Sequence, residues 1–252
     1  MSTPRLSAVV VARNEEEHLE ACLSAIAFCD EIVVVLDRCS DRSAEIAGRH
    51  ATQVIEGAWE LEGPRRNTGL EAVTGDWILE VDADERVRPE LAEEIRATIA
   101  DATGPAHYLI PFDNYIGEHR VRHGWGAYWG VSAAIRLFTP GAKRWGDDRV
   151  HPSLELKGER RWLKQRMDHL VDRDISDMFA RLDRYTASRA RDLHASGEIG
   201  SLARNVIRVF SRFWKCYVAR GGWREGGWGF LIALFAGLYP LLSHLRARLE
   251  DD

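Results

Sequence analysis

The sequence predicts an α/β chain: a mostly parallel sheet covered by helices on both faces, followed by a helical region. Three observations carry this. Apolar, β-branched runs alternate with helix-period segments through the first hundred residues, the pattern of strands buried on both faces. Several of these runs end in polar or acidic side chains. From about Ile175 onward the periodicity is helical to the end.

Taken in order, residues 6–12 (LSAVVVA) form a buried first strand ending at Arg13-Asn14. Asn14 suits the N-cap of the next helix, with Glu17 three residues on as its capping-box partner. Leu19, Cys22, Leu23 and Ile26 follow at the spacing of one helix face. Residues 31–37 (EIVVVLD) read as a second buried strand, again closed by a carboxylate. A short helix is expected over 40–48, a third strand over 52–56 and a helix over 65–73. The strand over 75–84 carries the most informative stretch, GDWILEVDADE (75–85), and a helix begins near Pro89. Residues 106–111 and 131–139 look like strands joined by a Gly-rich aromatic loop with Trp125, Tyr128 and Trp129. A turn at Pro140-Gly141 leads into WGDDRVHP (145–152). The domain organisation expected is a core over 1–170 and a helical appendage over 171–252.

Composition narrows the function classes. A chain of 252 residues with 45% apolar content can bury a full core. Its net charge of -5 gives no reason to expect a nucleic-acid partner. The charge is uneven, however: residues 201–224 hold six basic side chains and no acid. Cys22, Cys29, Cys39 and Cys216 show no metal or redox spacing, and no secretory leader is read before them, which predicts reduced cytoplasmic thiols. No G-x-G-x-x-G follows the first strand and no phosphate-loop motif occurs, against a dinucleotide oxidoreductase and a P-loop NTPase.

The candidate chemistry lies at the strand ends. In a right-handed parallel arrangement Asn14 and Glu15, Asp37, and Asp82 with Asp84 line one crevice at the carboxyl edge of the sheet. Two carboxylates as close as Asp82 and Asp84 repel unless a cation sits between them, and hard divalent ions such as Mg²⁺ or Mn²⁺ prefer oxygen ligands. Asp37 can accept hydrogen bonds from a base or a ribose, as can Asp82, while Asp84 holds the metal. Arg65 and Arg66 supply fixed charge for a diphosphate, Asn67 can orient one of them, and helix N-termini near Asn14 and Pro64 can add backbone N–H donors. Together these describe a nucleotide-diphosphate site.

At this point the chain resembles the family 2 glycosyltransferases, which have the GT-A fold, a Rossmann-like mixed sheet. The matching pieces are VVVARNEE (9–16), EIVVVLDRCSDRS (31–43), GPRRNTGLEAVTGDWILEVDADE (63–85) and RLFTPGAKRW (136–145). Among them it is most similar to the lipopolysaccharide-core branch of β-1,4-glucosyltransferase-like proteins. The resemblance implies that Asn14, Glu15 and Asp37 cradle uracil, that Asp82 contacts ribose and that Asp84 ligates the metal. It implies an inverting transfer from a UDP-sugar, UDP-glucose foremost, to a glycolipid such as the lipopolysaccharide core. The processive QxxRW pattern is absent, with Gly158 three residues before Arg161-Trp162, which favours transfer of a single sugar. The catalytic base would be Asp148, with Asp147 and His151 as rivals, and His169 reads as a core histidine. Trp125, Tyr128 and Trp129 are expected as platforms for an acceptor sugar. A sugar-nucleotide nucleotidyltransferase and a non-catalytic membrane-docked scaffold are the competing readings. The first should carry a Gly-rich phosphate loop where this chain has ARNEEE, and the second leaves Asp37, Asp82, Asp84 and Arg65 without a purpose.

The tail suggests a membrane surface. In residues 201–224 Leu202, Val206, Val209, Phe210, Phe213 and Tyr217 recur at helical spacing, beside a separate line of Arg204, Arg208, Arg212 and Lys215. The apolar run FLIALFAGLYPLL (230–242) is short of the roughly 20 residues a spanning helix needs and contains Pro240. The expectation is an element lying in the plane of an anionic bilayer, peripheral on the cytoplasmic side of the inner membrane, with packing as ordinary core as the alternative.

Overall fold

The computed structural model describes residues 3–126, 129–147 and 153–250, and the chain divides into two compact units. Unit 1 comprises Met1–Phe112 and Ala133–His169, and unit 2 comprises Asp113–Ser132 and Leu170–Asp252. The chain thus passes into unit 2 after His169, but the 113–132 segment, expected in the first domain, groups with the C-terminal helices.

Unit 1 begins with β1 (Leu6–Ala12), α1 (Glu16–Ala25), β2 (Glu31–Asp37), α2 (Ser43–His50), β3 (Gln53–Gly57), α3 (Glu62–Ala72) and β4 (Trp77–Asp82). These strands run parallel in the order β3-β2-β1-β4, with Val11 opposite both Val35 and Asp82. β1 and β2 are buried almost end to end, as apolar runs covered on both faces must be. A two-residue β5 (Glu85–Arg86) and α4 (Pro89–Asp101) follow, with the ring of Pro89 in the first turn.

Beyond α4 the sheet becomes mixed. β6 (Ala106–Ile116) leads through β7 (His119–Val121) in unit 2 to β8 (Ala133–Phe138), which lies antiparallel between β4 and β6. β9 (Lys143–Trp145) and β10 (Leu154–Leu156) pair by themselves. β11 (Glu159–Trp162) runs parallel to β6. β12 (Met167–Asp172) brings His169 opposite Glu85 of β5. The amino edge of the sheet is closed by a satisfied polar group: the buried Glu31 carboxylate accepts from Ser7 Oγ and from Thr74 N at 2.7 Å, while Gly75 N donates to Ser7 Oγ at 2.9 Å.

Unit 2 holds α5 (Ile175–Ser196), α6 (Leu202–Trp214), a π-helical turn (Lys215–Ala219), a 3₁₀ turn (Gly222–Glu225) and α7 (Gly226–Leu249). Asp174 and Ser201 cap α5 and α6 by accepting from Asp177 N and Arg204 N. α7 contains the apolar run and is the core helix of this unit: Ile232, Ala233, Phe235 and Ala236 are fully buried with Met178 and Leu182 of α5. Gly237 lets α7 approach α6 closely, since a Cβ there would meet Val209 O at 2.7 Å. The helix is long and apolar enough to cross a membrane, but half of its apolar window is buried within the protein. Part of the 230–242 run therefore packs within unit 2 against α5 and α6.

Unit 2 also corrects the aromatic expectation. Trp125 and Trp129 are buried, and Arg181 stacks on both rings at 5.4 and 4.5 Å. Trp125 Nε1 donates to Val131 O, and Trp129 meets Phe235 edge-on at 5.8 Å. With their faces covered these residues are core, not open platforms for a sugar ring. Tyr128 lies outside the described residues.

Candidate active site

At the carboxyl edge of unit 1 the ends of β1, β2 and β4 present Asn14, Asp37 and Asp82 on adjacent strands. Asn14 does not cap α1, which starts at Glu16 behind an uncapped Glu15. Its backbone is left-handed (φ 56°), and its Oδ1 accepts from Ser40 N at 2.8 Å. Asparagine tolerates this region because its short side chain bonds locally. Glu15 N donates to Ser43 Oγ at 3.0 Å, Glu16 N to Asp41 Oδ2 at 2.9 Å, and Arg42 N to Glu16 Oε2 at 3.0 Å. Cys39 Sγ accepts from Asn14 N and lies 3.7 Å from Ala12 O. The loops after β1 and β2 are thus stitched side by side.

Asp37 is buried and held from three directions. Arg38, also left-handed at φ 51°, donates from Nε at 2.8 Å, Trp59 N from 3.2 Å and Arg65 Nη1 from 3.1 Å. Burial pushes this carboxyl up, but the hydrogen bonds from Arg38 and Trp59 and the two guanidinium charges outweigh it and hold it below the usual carboxylate range. Among the described residues the buried Nε of Arg65 has no hydrogen-bond partner. Asn67 departs from expectation. Its Nδ2 donates to Trp145 O at 2.8 Å and its Oδ1 accepts from Trp145 N at 3.0 Å, so it fastens β9 to α3 and orients neither arginine.

The end of β4 is an ion network. Glu80, buried in mid-strand, accepts from Lys143 Nζ at 2.6 Å and Arg66 Nη1 at 2.8 Å. Arg66 also reaches Asp82 at 2.8 Å and Glu62 at 2.8 Å, and stacks on Trp145 at 4.7 Å. Arg136, on β8, bonds both Asp82 and Glu85. Burial raises Asp82, but Arg136 and Arg66 outweigh it and hold that carboxylate far below its usual range. Burial pushes Glu85 up to about 7, against the pull of Arg136 and with help from the Asp82 charge.

Asp84 stands apart. It is partly exposed, and among the described residues no lysine or arginine is bonded to it. Its Oδ2 lies 3.5 Å from Nε2 of His169, on β12. Burial lowers the His169 pKa, but its hydrogen bond and charge interaction with Asp84, joined by Glu85, raise it overall. His169, read from the sequence as a core residue, is therefore at the site; only the β5–β12 pairing reveals it. Among the described residues no three donors gather into a ready metal cage. Asp84 and His169 nonetheless offer an oxygen and a nitrogen donor of the kind a Mg²⁺ or Mn²⁺ ion can accept.

Of the base candidates, Asp147 is exposed just past β9, while Asp148 and His151 lie outside the described residues. The segment is anchored by a close approach: a Cβ on Gly63 of α3 would come 1.9 Å from Gly146 O. Gly63→Ala should therefore displace Trp145–Asp147, costing about 1–3 kcal/mol in a urea melt and lowering turnover as well. An alanine variant with unchanged stability and rate would show that this approach is not needed.

Residues 7–148 match the glycosyl transferase family 2. An uncharacterized glycosyltransferase of Rickettsia bellii is 22% identical, over 98% of this chain and 87% of its own. The lipopolysaccharide core biosynthesis glycosyltransferase LpsC of Rhizobium meliloti is 23% identical, over 94% of this chain and 90% of its own. Residues 1–349 of S. aureus TarS, solved in complex with UDP, superpose with a TM-score of 0.51 at 15% identity, covering 88% of this chain and 75% of that one. A Rossmann-like mixed sheet, acidic strand ends at its carboxyl edge and a match across more than half the chain together make this protein a glycosyltransferase belonging to family 2.

Proposed function

We propose that the chain moves one hexose, glucose from UDP-glucose, onto a glycolipid acceptor of the lipopolysaccharide-core kind, with inversion, at the cytoplasmic face of the inner membrane. The observation that carries this reading is the division of labour at the end of β4. Arginines neutralise Asp82, while among the described residues no lysine or arginine is bonded to Asp84, which lies beside His169. Such a pair suits a divalent ion shared with a nucleotide diphosphate. When bound, that ion would offset the negative charge on the departing diphosphate. Kinship with LpsC supports the acceptor class, and the UDP complex of TarS supports the donor base.

In this reading Asn14, Glu15 and Asp37 form the base pocket, Asp82 meets the ribose, and Arg65 turns towards the diphosphate. The acceptor hydroxyl attacks the anomeric carbon in line as the bond to the diphosphate oxygen breaks. Its proton passes to a carboxylate of the 147–148 pair, Asp148 foremost, with His151 as the alternative. The apolar and basic tail keeps the catalytic unit near its lipid-borne acceptor.

A thermal-shift panel tests the donor site. UDP with Mn²⁺, at about a hundredfold above its Kd, should stabilise the protein by about 2.7 kcal/mol. For a chain of this size that is a rise of several degrees, roughly 2–4 °C per kcal/mol. An equal rise without metal would remove the ion from the reading, and preference for another nucleotide would replace the donor.

A further inference from the structure

Unit 2 contains a basic cleft that the transfer reaction does not use. It measures about 280 Å³ and lies between α5, α6 and α7. Arg189 of α5 and Arg204, Arg208 and Arg212 of α6 line it, with the capped start of α6 at Ser201 and the Tyr239 ring on α7. Glu198 is the carboxylate on its wall, so the lining charge is strongly positive. Among the described residues neither Arg204 nor Arg208 has a carboxylate partner. Arg208 donates to Asn205 Oδ1 at 3.1 Å, and Arg189 has only a loose contact with Asp192 at 3.5 Å. Four guanidinium groups around one cavity are a poor way to stabilise a fold, because they repel one another. They are a good way to grip a phosphate, which accepts paired N–H donors from a guanidinium fork.

The same helix says what carries the phosphate. Arg204, Arg208 and Arg212 recur every four residues along one side of α6. On the adjoining side Ile207, Phe210 and Trp214 are 66%, 71% and 63% exposed, with Leu202 and Val206 beside them. A soluble phosphate has no use for an apolar surface of that kind. A bilayer does: the apolar side enters the acyl boundary while the arginines meet the headgroups.

We propose that this cleft is a headgroup site for a phosphate-bearing lipid, engaged when α6 lies in the membrane interface. The inference rests on the membrane contact proposed above and names the element and the chemistry that make it. The cavity is headgroup-sized, and the arginines bind the phosphate oxygens. Phe210 and Trp214 pack among the first methylenes.

Flotation of the full-length protein with vesicles, run without nucleotide or metal, separates this proposal from the transfer reading. The wild type should bind phosphatidylcholine vesicles containing phosphatidylglycerol and stay free of phosphatidylcholine alone. Arg204→Gln with Arg208→Gln should lower the partition about ten- to thirtyfold. The same charge loss at the exposed Arg144 and Arg160 of unit 1 should change it less than about threefold. Phe210→Ser with Trp214→Ser should also release the protein, and circular dichroism of each variant should match the wild type. Equal losses from the two arginine pairs would overturn the site, as would serine variants that release the protein while the Arg204/Arg208 variant stays bound. Arginine-dependent thermal stabilisation by inorganic phosphate, without any vesicle binding, would assign the cleft to a soluble phosphate instead. A protein that binds UDP with Mn²⁺ but never floats with vesicles defeats this inference and leaves the donor site standing.

Discussion

Asp84→Ala should reduce sugar transfer by at least about a thousandfold while unit 1 keeps its fold. The carboxylate is partly exposed and, among the described residues, bonds to no lysine or arginine, so its removal breaks no such ion pair and loosens its contact with His169. A divalent ion contributes several kcal/mol to stabilising a departing diphosphate, and each factor of ten in rate is about 1.4 kcal/mol. Transfer of radiolabelled sugar to a lipid fraction measures the rate, and a thermal melt checks the fold. Normal turnover in the alanine variant would remove Asp84 from the site. Asp82→Asn is the informative contrast, because it should also weaken the fold by unbalancing Arg66 and Arg136.

Arg136→Met should have the largest effect on stability. Arg136 is buried, and its guanidinium bonds both Asp82 and Glu85. Removing one member of a buried ion network costs about 3–5 kcal/mol, a large share of the ~5–15 kcal/mol that holds a domain together. Glu85 is already pushed up to about 7 by burial, so it should take up a proton in the variant and limit the damage. Adding Glu85→Gln to Arg136→Met should accordingly recover part of the loss in a urea titration. A single variant as stable as wild type would show the network to be dispensable.

Much of unit 1 was legible from its residues. The apolar runs of β1, β2 and β4 locate the parallel strands, and their polar last residues locate the crevice. Glu80 was a signal left unread: a carboxylate between Leu79 and Val81 in a buried strand needs a cation. Its bonded partners Lys143 and Arg66 lie 63 and 14 residues away on other elements, and no local periodicity points to them. His169 escaped for the same reason, since its place beside Asp84 depends on a two-residue antiparallel pairing. Asn14 fitted the capping box by spacing alone, but the left-handed turn after β1 took its side chain to Ser40. In unit 2, hydrophobicity identified α7 and Trp125 as apolar without saying what would cover them. A helix meant for lipid and a helix meant for a protein core read alike until their neighbours are placed.

The stitched loops after β1 and β2 bear on the entropy of donor recognition. Backbone amides of residues 14, 15, 16, 40 and 42 are each bonded to a side chain of the opposite loop, although this rim faces solvent. Loops tied in this way have surrendered their conformational freedom on folding, so a ligand that docks against them orders little that was loose. Amide hydrogen exchange at those positions should be slow for an exposed edge and change little when nucleotide arrives. The half-buried thiol of Cys39 lies within the seam, between Asn14 N and Ala12 O, which makes its rate of thiol labelling a native reporter of how tightly the two loops stay joined.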